Sequence, residues 1–200
     1  MLEIVNLRTQ LLGPVSLAVG AGECVAILGP SGSGKSLFLR AVVDLDPNQG
    51  CVKLEDRRRD DMPADQWRRL VAMVPAESGW WSEQVADHFA PNSDANSLLD
   101  AVGLPDAMGW EVSRLSSGER QRLAIARALS ARPSAILLDE PTAMLDQVAT
   151  KMVEDLVRSE RERGVPIVIV THDQKQAERL AARRFAMRHG QLQLEPGVAA

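Results

Sequence analysis

The stretch Gly29-Pro30-Ser31-Gly32-Ser33-Gly34-Lys35-Ser36 constrains this chain more than any other. It fits G-x-x-x-x-G-K-[ST] and stands between an apolar run and a helical pattern. The run Cys24-Val25-Ala26-Ile27-Leu28 is short and partly β-branched, as a buried strand should be, while Leu37, Phe38, Ala41 and Val42 follow a helical spacing. Strand, glycine-rich loop and helix together form the context in which this motif cradles phosphate. The glycines keep side chains clear so that successive backbone N–H groups face phosphate oxygens. The helix opening at Lys35-Ser36-Leu37 adds free N–H groups and the positive end of its dipole. Lys35 supplies a full charge near the β and γ phosphates, and Ser36 a hydroxyl for the Mg²⁺ that accompanies them. A nucleoside triphosphate is the expected ligand of residues 29–37.

With 200 residues, 45% of them hydrophobic, the chain can bury one substantial core. A net charge of −4 gives no bulk attraction for nucleic acid, and no nucleic-acid partner is expected. The Arg57-Arg58-Arg59 run is answered at once by Asp60 and Asp61, so it reads as a solvated, self-neutralised loop. Cys24 and Cys51 make neither a disulfide framework nor a zinc site, which suits a reducing compartment. No apolar run approaches the ~18 residues of a membrane helix. Nor does the N-terminus read as an export signal. The expected location is cytoplasmic, with any membrane span supplied by another polypeptide.

Strand patterns at Leu2–Val5 and Val15–Val19 precede the Cys24–Leu28 strand, and further strands are expected at Cys51–Leu54 and Val71–Val74, with a helix at Pro63–Leu70 between them. Residues 76–115 differ in character. They carry Trp80, Trp81 and Trp110, a turn at Pro91-Asn92-Ser93-Asp94, and helical patterns at Glu83–Phe89 and Ala95–Val102, which suggests a small helical lobe. Alternation then resumes: helix Gly118–Ser130, strand Ala135–Leu138, helix Asp146–Arg163, strand Pro166–Val170, helix Gln174–Ala182, and a closing hairpin around His189-Gly190. The fold class is α/β, a mostly parallel sheet flanked by helices. Residues 1–75 and 116–200 form its core and 76–115 the lobe.

Two strands end in polar groups, where ligands of open α/β sheets gather. Ala135–Leu138 runs into Asp139 and Glu140, the first placed to hold Mg²⁺ and the second to orient or deprotonate a water attacking the γ-phosphate. Val168-Ile169-Val170 runs into Thr171-His172-Asp173, putting His172 at the same sheet edge. Leu115-Ser116-Ser117-Gly118-Glu119 opens a helix, and such residues make either an anion site or an ordinary N-cap.

In that order these pieces resemble an ATP-binding cassette ATPase, the nucleotide-binding subunit of an ABC transporter, over essentially the whole chain. Gly29–Ser36 matches its Walker A motif, Leu115–Glu119 resembles its LSGGQ signature, Ile136–Glu140 matches Walker B with the catalytic glutamate, Met144-Leu145-Asp146 resembles the D-loop, and His172 matches the switch histidine. The resemblance implies a P-loop NTPase core with an N-terminal antiparallel β subdomain and a small helical subdomain. It also implies two copies bound head to tail around two ATP molecules, with Ser116, Ser117, Gly118 and Glu119 of each completing the site of the other. An integral-membrane permease would receive the motion, holding the chain at the cytoplasmic face of the membrane. Glu140, His172 and Lys35 would be the catalytic residues.

Three positions depart from the family's pattern. Ala76 stands where the Q-loop glutamine is expected, with Glu77 beside it as the substitute Mg²⁺ ligand; Ser117 and Glu119 replace a signature glycine and glutamine; and Arg8 to Leu12 lack the aromatic that stacks on adenine, in a chain without tyrosine. Trp80 and Trp81 read equally as a permease contact and as the core of the lobe. The competing functional readings are a non-transport ABC ATPase, for which the chain has no second cassette or coiled-coil insertion, a P-loop kinase or GTPase, for which it has no Asn-Lys-x-Asp motif, and a weakly hydrolysing dimerisation switch, for which Ala76 speaks.

Overall fold

The structure is a computed structural model that describes residues 1–91 and 93–195. In chain order its elements are β1 (Leu2–Arg8), β2 (Val15–Val19), β3 (Cys24–Leu28), α1 (Lys35–Val42), β4 (Gln49–Leu54), β5 (Arg57–Arg58), α2 (Ala64–Leu70) and β6 (Val71–Val74). After these come α3 (Ala95–Ala101), α4 (Ser117–Ser130), β7 (Ala135–Asp139), α5 (Gln147–Glu162), β8 (Ile167–Val170), α6 (Gln174–Leu180), β9 (Arg183–Arg188) and β10 (Gln191–Leu194).

Two sheets result. The first has the order β2-β1-β4-β5 and is antiparallel; the second runs β10-β9-β3-β8-β7-β6, parallel except for β10, which returns from β9 as a hairpin. β3, β7 and β8 are buried at every position, as parallel strands covered on both faces must be. β2 alternates buried and exposed residues, the pattern of a sheet wet on one side. Between the sheets lies α1, whose Phe38, Leu39, Ala41 and Val42 join Ile4, Leu17 and Val52 on one side and Val25, Leu137 and Val168 on the other in one apolar cluster.

Part of the arginine run departs from its expected role. Arg57 and Arg58 are exposed, but Arg59 is 5% exposed, and its Nη1 donates to the Ala41 carbonyl at 3.0 Å. The indole Nε1 of the buried Trp67 donates to the next carbonyl, Val42, at 2.9 Å. The last turn of a helix leaves carbonyls without intrahelical partners, and a helix end buried between two sheets has no water to satisfy them. Trp67 fills that need at Val42, and Arg59 adds a second donor at Ala41, which also accepts from Asp44 N–H at 3.2 Å, while the Arg59 Nε holds Asp60 at 2.9 Å.

Residues 76–115 contain one α-helix, α3, and several single 3-10 turns. The helix expected over Glu83–Phe89 is one such turn, Val85–His88, because the backbone there pairs across the lobe: Val85 N–H donates to the Trp110 carbonyl and Val112 N–H to that of Glu83. Val85, Leu99, Val102 and Ala107 bury against Leu123 and Ala126 of α4, so this segment packs on the signature helix. The turn expected at Pro91–Asp94 includes Asn92, which lies outside the described residues. Helix α6 ends two residues earlier than the pattern suggested, because Ala182 N–H is taken by the Cys24 carbonyl as the chain enters β9 beside β3. Neither cysteine is paired, and burial pushes the Cys24 thiol up to about 12. No helix among the described residues is long and apolar enough to cross a membrane.

Candidate functional site

The phosphate loop leaves the end of β3 and enters α1 through Gly34, the N-cap, at φ 104°, a conformation open to glycine. At Gly29 a Cβ would collide with the Met187 carbonyl of β9, so the loop can fold tightly over the sheet only with glycine there. Lys35 is 8% exposed, and its ammonium donates to the carbonyls of Gly29 at 2.7 Å and Pro30 at 3.0 Å. Ser33 is buried with its hydroxyl unpartnered. The loop thus curls around its own lysine, with Ser31, Gly32, Gly34, Lys35, Ser36 and Leu37 facing an open cavity.

That cavity is a cleft of about 500 Å³, walled by the phosphate loop together with Leu11, Ala76, Asp139 and Glu140. Asp139, the last residue of β7, is 4% exposed and shares the cleft wall with Ser36. Burial raises its carboxyl above the usual carboxylate range, and the Glu140 charge adds to this, against the opposing pull of Ser36 and Lys35. Glu140 adopts φ 48° with its N–H donating to the Val170 carbonyl at 2.8 Å. This left-handed kink turns the carboxylate out of the sheet and toward His172, whose Nδ1, carrying the proton, donates to Glu140 Oε2 at 2.8 Å. His172 is 71% exposed and follows the buried Thr171, whose hydroxyl accepts from Asp173 N–H.

The structure therefore brings residues 29–37, Asp139, Glu140 and, through Glu140, His172 to one sheet edge. It does not bring Glu77 or the signature stretch there. Ala76 lines the cleft, whereas Glu77 is exposed and lines a neighbouring depression of about 340 Å³ with Ser117, Arg120 and Gln121. Ser116 and Glu119 form a capping box: Glu119 N–H donates to Ser116 Oγ at 3.3 Å, and Ser116 N–H and hydroxyl donate to Glu119 Oε2 at 2.8 and 2.7 Å. The Ser116 hydroxyl, with its backbone N–H, holds the Glu119 carboxyl below its ordinary range. The ordinary N-cap is thus realised within the chain, while Ser116 and Ser117 remain exposed at the helix start.

Two contributors escaped sequence reasoning as individuals. Leu11 belongs to the Arg8–Leu12 stretch, where a Leu or Arg is the expected stand-in for the missing aromatic, but which of them reaches the cleft is not readable from the sequence. Gln176 is 1% exposed and donates through Nε2 to Thr142 Oγ1 at 2.7 Å, joining α6 to the turn beyond Glu140. Its only signal was a polar residue in the helix just after His172.

Comparison with known proteins follows the same lines as this geometry. The family model described as ABC transporter matches residues 12–143. The chain belongs to the ABC transporter family. Among its ABC relatives, a phosphate import ATP-binding protein of Natronomonas pharaonis is 35% identical over 209 residues, covering 92% of this chain and 74% of that protein. A lipoprotein-releasing system ATP-binding protein of Shewanella oneidensis is 38% identical over 213 residues, covering 94% of this chain and 90% of that one. Among solved structures, a dimeric post-hydrolysis state of an ATP-binding cassette bound to ADP and Pi superposes with a TM-score of 0.82 at 25% identity, covering 100% of both chains. The ABC fold thus accounts for both sheets, the lobe and the order of the motifs along the chain.

Proposed function

We propose that this chain binds and hydrolyses ATP as the energy-supplying subunit of an ABC transporter, acting in a head-to-tail pair of copies beneath a separate membrane permease. The observation that carries the reading is the 2.8 Å contact of Glu140 and His172 at the mouth of the phosphate-loop cleft. A triphosphate fits that cleft: Gly32 and Gly34 of the loop wall it without side chains, and Lys35 stands within the loop with no carboxylate hydrogen-bonded to its ammonium.

The donor set also fits Mg²⁺. Ser36 and Asp139 offer one hydroxyl and one buried carboxylate, and no group of three or more His, Cys, Asp or Glu that could hold a metal occurs among the described residues. That is the protein share expected for an ion that takes most of its shell from phosphates and water, and that neutralises phosphate charge when bound. Glu77, outside the cleft wall, is left out of this set.

In the chemical step the loop N–H groups and Lys35 hold the phosphates in line. Glu140 orients the attacking water and accepts its proton, and the His172 N–H fixes the carboxylate so that one oxygen remains for the water. Ser117 and the α4 N-terminus are exposed for a second copy, beside Met144 and Val148, which are 68% and 66% exposed. The dimeric neighbour supports that arrangement, and the import and release names of the relatives support a permease partner. With no membrane-crossing helix among the described residues, attachment at the cytoplasmic face would run through that permease.

Glu140→Gln tests the reading. It should keep ATP binding, reduce turnover by at least about a hundredfold, and yield a dimer with ATP that size-exclusion chromatography detects. A variant that stays monomeric with ATP and Mg²⁺ would sink the sandwich mechanism. A second reading, a slowly hydrolysing dimerisation switch, is favoured by Ala76 in the cleft wall. It would show as ATP-dependent dimers of the unaltered chain that persist for minutes.

A further inference from the structure

Helix α6 starts directly after His172, with Asp173 as its N-cap, and it is seven residues long. A helix that short does not hold itself in place, so the direction in which His172 leaves the sheet depends on what α6 is fastened to. Its Ala177 packs on Ala26 and Leu28 of β3. A second fastening reaches sideways to α5. Arg179 Nη2 donates to Glu154 Oε1 at 2.6 Å, and Arg179 Nε donates to both Glu154 oxygens at 3.1 Å. The same Nη2 stands 4.0 Å from Oδ2 of Asp173, the residue next to His172. Further along, Arg161 of α5 donates to the Leu180 carbonyl at 3.0 Å.

Glu154 is 4% exposed, and a carboxylate buried to that degree is destabilising unless it is well paired. Apolar side chains of similar size would join two helices at least as well. What a two-pronged guanidinium contact adds is direction, because the planar fork fits a carboxylate in one orientation. Arg158 also reaches Glu154 Oε2, at 3.3 Å, but it sits on the same helix and so offsets charge without joining elements. Gln176 and Arg179 are three residues apart and therefore share a side of α6. Through them α6 is tied to Thr142 and to Glu154, two points on the chain that leaves Glu140.

We propose that Glu154 and Arg179 are positioning residues for hydrolysis: their fork sets the rotation of α6 and, with it, the aim of the His172 Nδ1–H at Glu140. Neither residue belongs to the cleft wall, so their effect on turnover passes through His172. The inference rests on the reading of Glu140 and His172 as the hydrolytic pair.

Replacing both residues separates position from stability. The double variant Glu154→Met, Arg179→Met exchanges the ion pair for apolar groups and should melt within about 3 °C of the parent. Its kcat should nevertheless be about tenfold lower, with KM for ATP changed by less than about twofold. Arg179→Lys, which keeps the charge and loses the fork, should show a similar loss of kcat. Arg158→Met should retain the parental kcat. Nitrogen NMR of the imidazoles in the full chain without nucleotide reads the same effect directly, since there are three histidines and His172→Gln assigns the signal. The parent should show His172 protonated at Nδ1, and the double variant a mixture of tautomers. Parental kcat with an unchanged His172 signal in a stably folded double variant would overturn the inference, as would a kcat that follows melting temperature across the whole set. If the parent does not turn over ATP, the hydrolytic reading fails, while the NMR comparison still decides whether the pair positions His172.

Discussion

The buried amide of Gln176 donates to the Thr142 hydroxyl at 2.7 Å, and this single bond ties the helix after His172 to the turn after Glu140. Glu140 and His172 leave their strands by short backbone paths, so their separation depends on what stands behind them. Gln176 is in that sense a positioning residue. Gln176→Leu should lower kcat by about tenfold, because small misplacements of reacting groups are expensive in rate, with KM changed by less than about twofold. Thr142→Val should do the same, and the double variant should add little, since both remove one interaction. Gln176→Glu, whose carboxylate can accept from the Thr142 hydroxyl with the bond reversed, should recover most of the rate. A lower melting temperature with kcat intact would mark the bond as structural only.

Asp139 makes stability depend on pH in an unusual direction. Its carboxyl is raised by burial, so in the carboxylate range the folded chain holds a proton that the unfolded chain has released. Stability without nucleotide should therefore fall as pH rises from about 4 through the elevated value toward neutrality. Asp139→Asn should abolish this slope and melt no lower than the parent at pH 7.5, while losing Mg²⁺-dependent turnover by at least about a hundredfold. Thermal denaturation across pH, in chelator, reads the first effect, and steady-state hydrolysis the second.

The paired tryptophans divide their roles. Trp80 packs against two apolar clusters, one in the main body and one in the 76–115 lobe, whereas Trp81 is 70% exposed. Arg127 lies over both rings, 4.6 and 4.9 Å from their centroids, and donates to the Gly79 carbonyl at 3.0 Å. Trp80→Ala should destabilise the chain by about 3 kcal/mol. Trp81→Ala should stay within about 0.5 kcal/mol of the parent yet weaken co-purification with the permease. Equal stability losses in urea would return both residues to a packing role.

Most of the core was legible because its signals are local. β3, β7 and β8 are continuous apolar runs, and the phosphate loop and the Asp139-Glu140 pair announce themselves within a few residues. Arg59 was legible in part: its Nε pairs with Asp60, as the charge pattern expects, but its burial against the end of α1, 18 positions away, leaves no local signal. The Glu83–Phe89 pattern failed for a related reason, since its backbone donors were claimed by residues 110–112. In the site, Gln176 stayed hidden and Leu11 was readable only as one of the Arg8–Leu12 group, because their places are set by what the fold puts opposite them.

The donors that Arg59 and Trp67 send to the end of α1 have a mechanical corollary. The helix that receives the charge of the nucleotide at its first turn is grounded at its last, wedged between two sheets, and cannot recoil along its axis. The wall bearing Ala76 is held differently: Ala76 and Glu77 are exposed, and the segment is tied only further on, where Arg127 donates to the Gly79 carbonyl. Charge arriving at the first turn of α1 thus meets an element whose far end is fixed to both sheets.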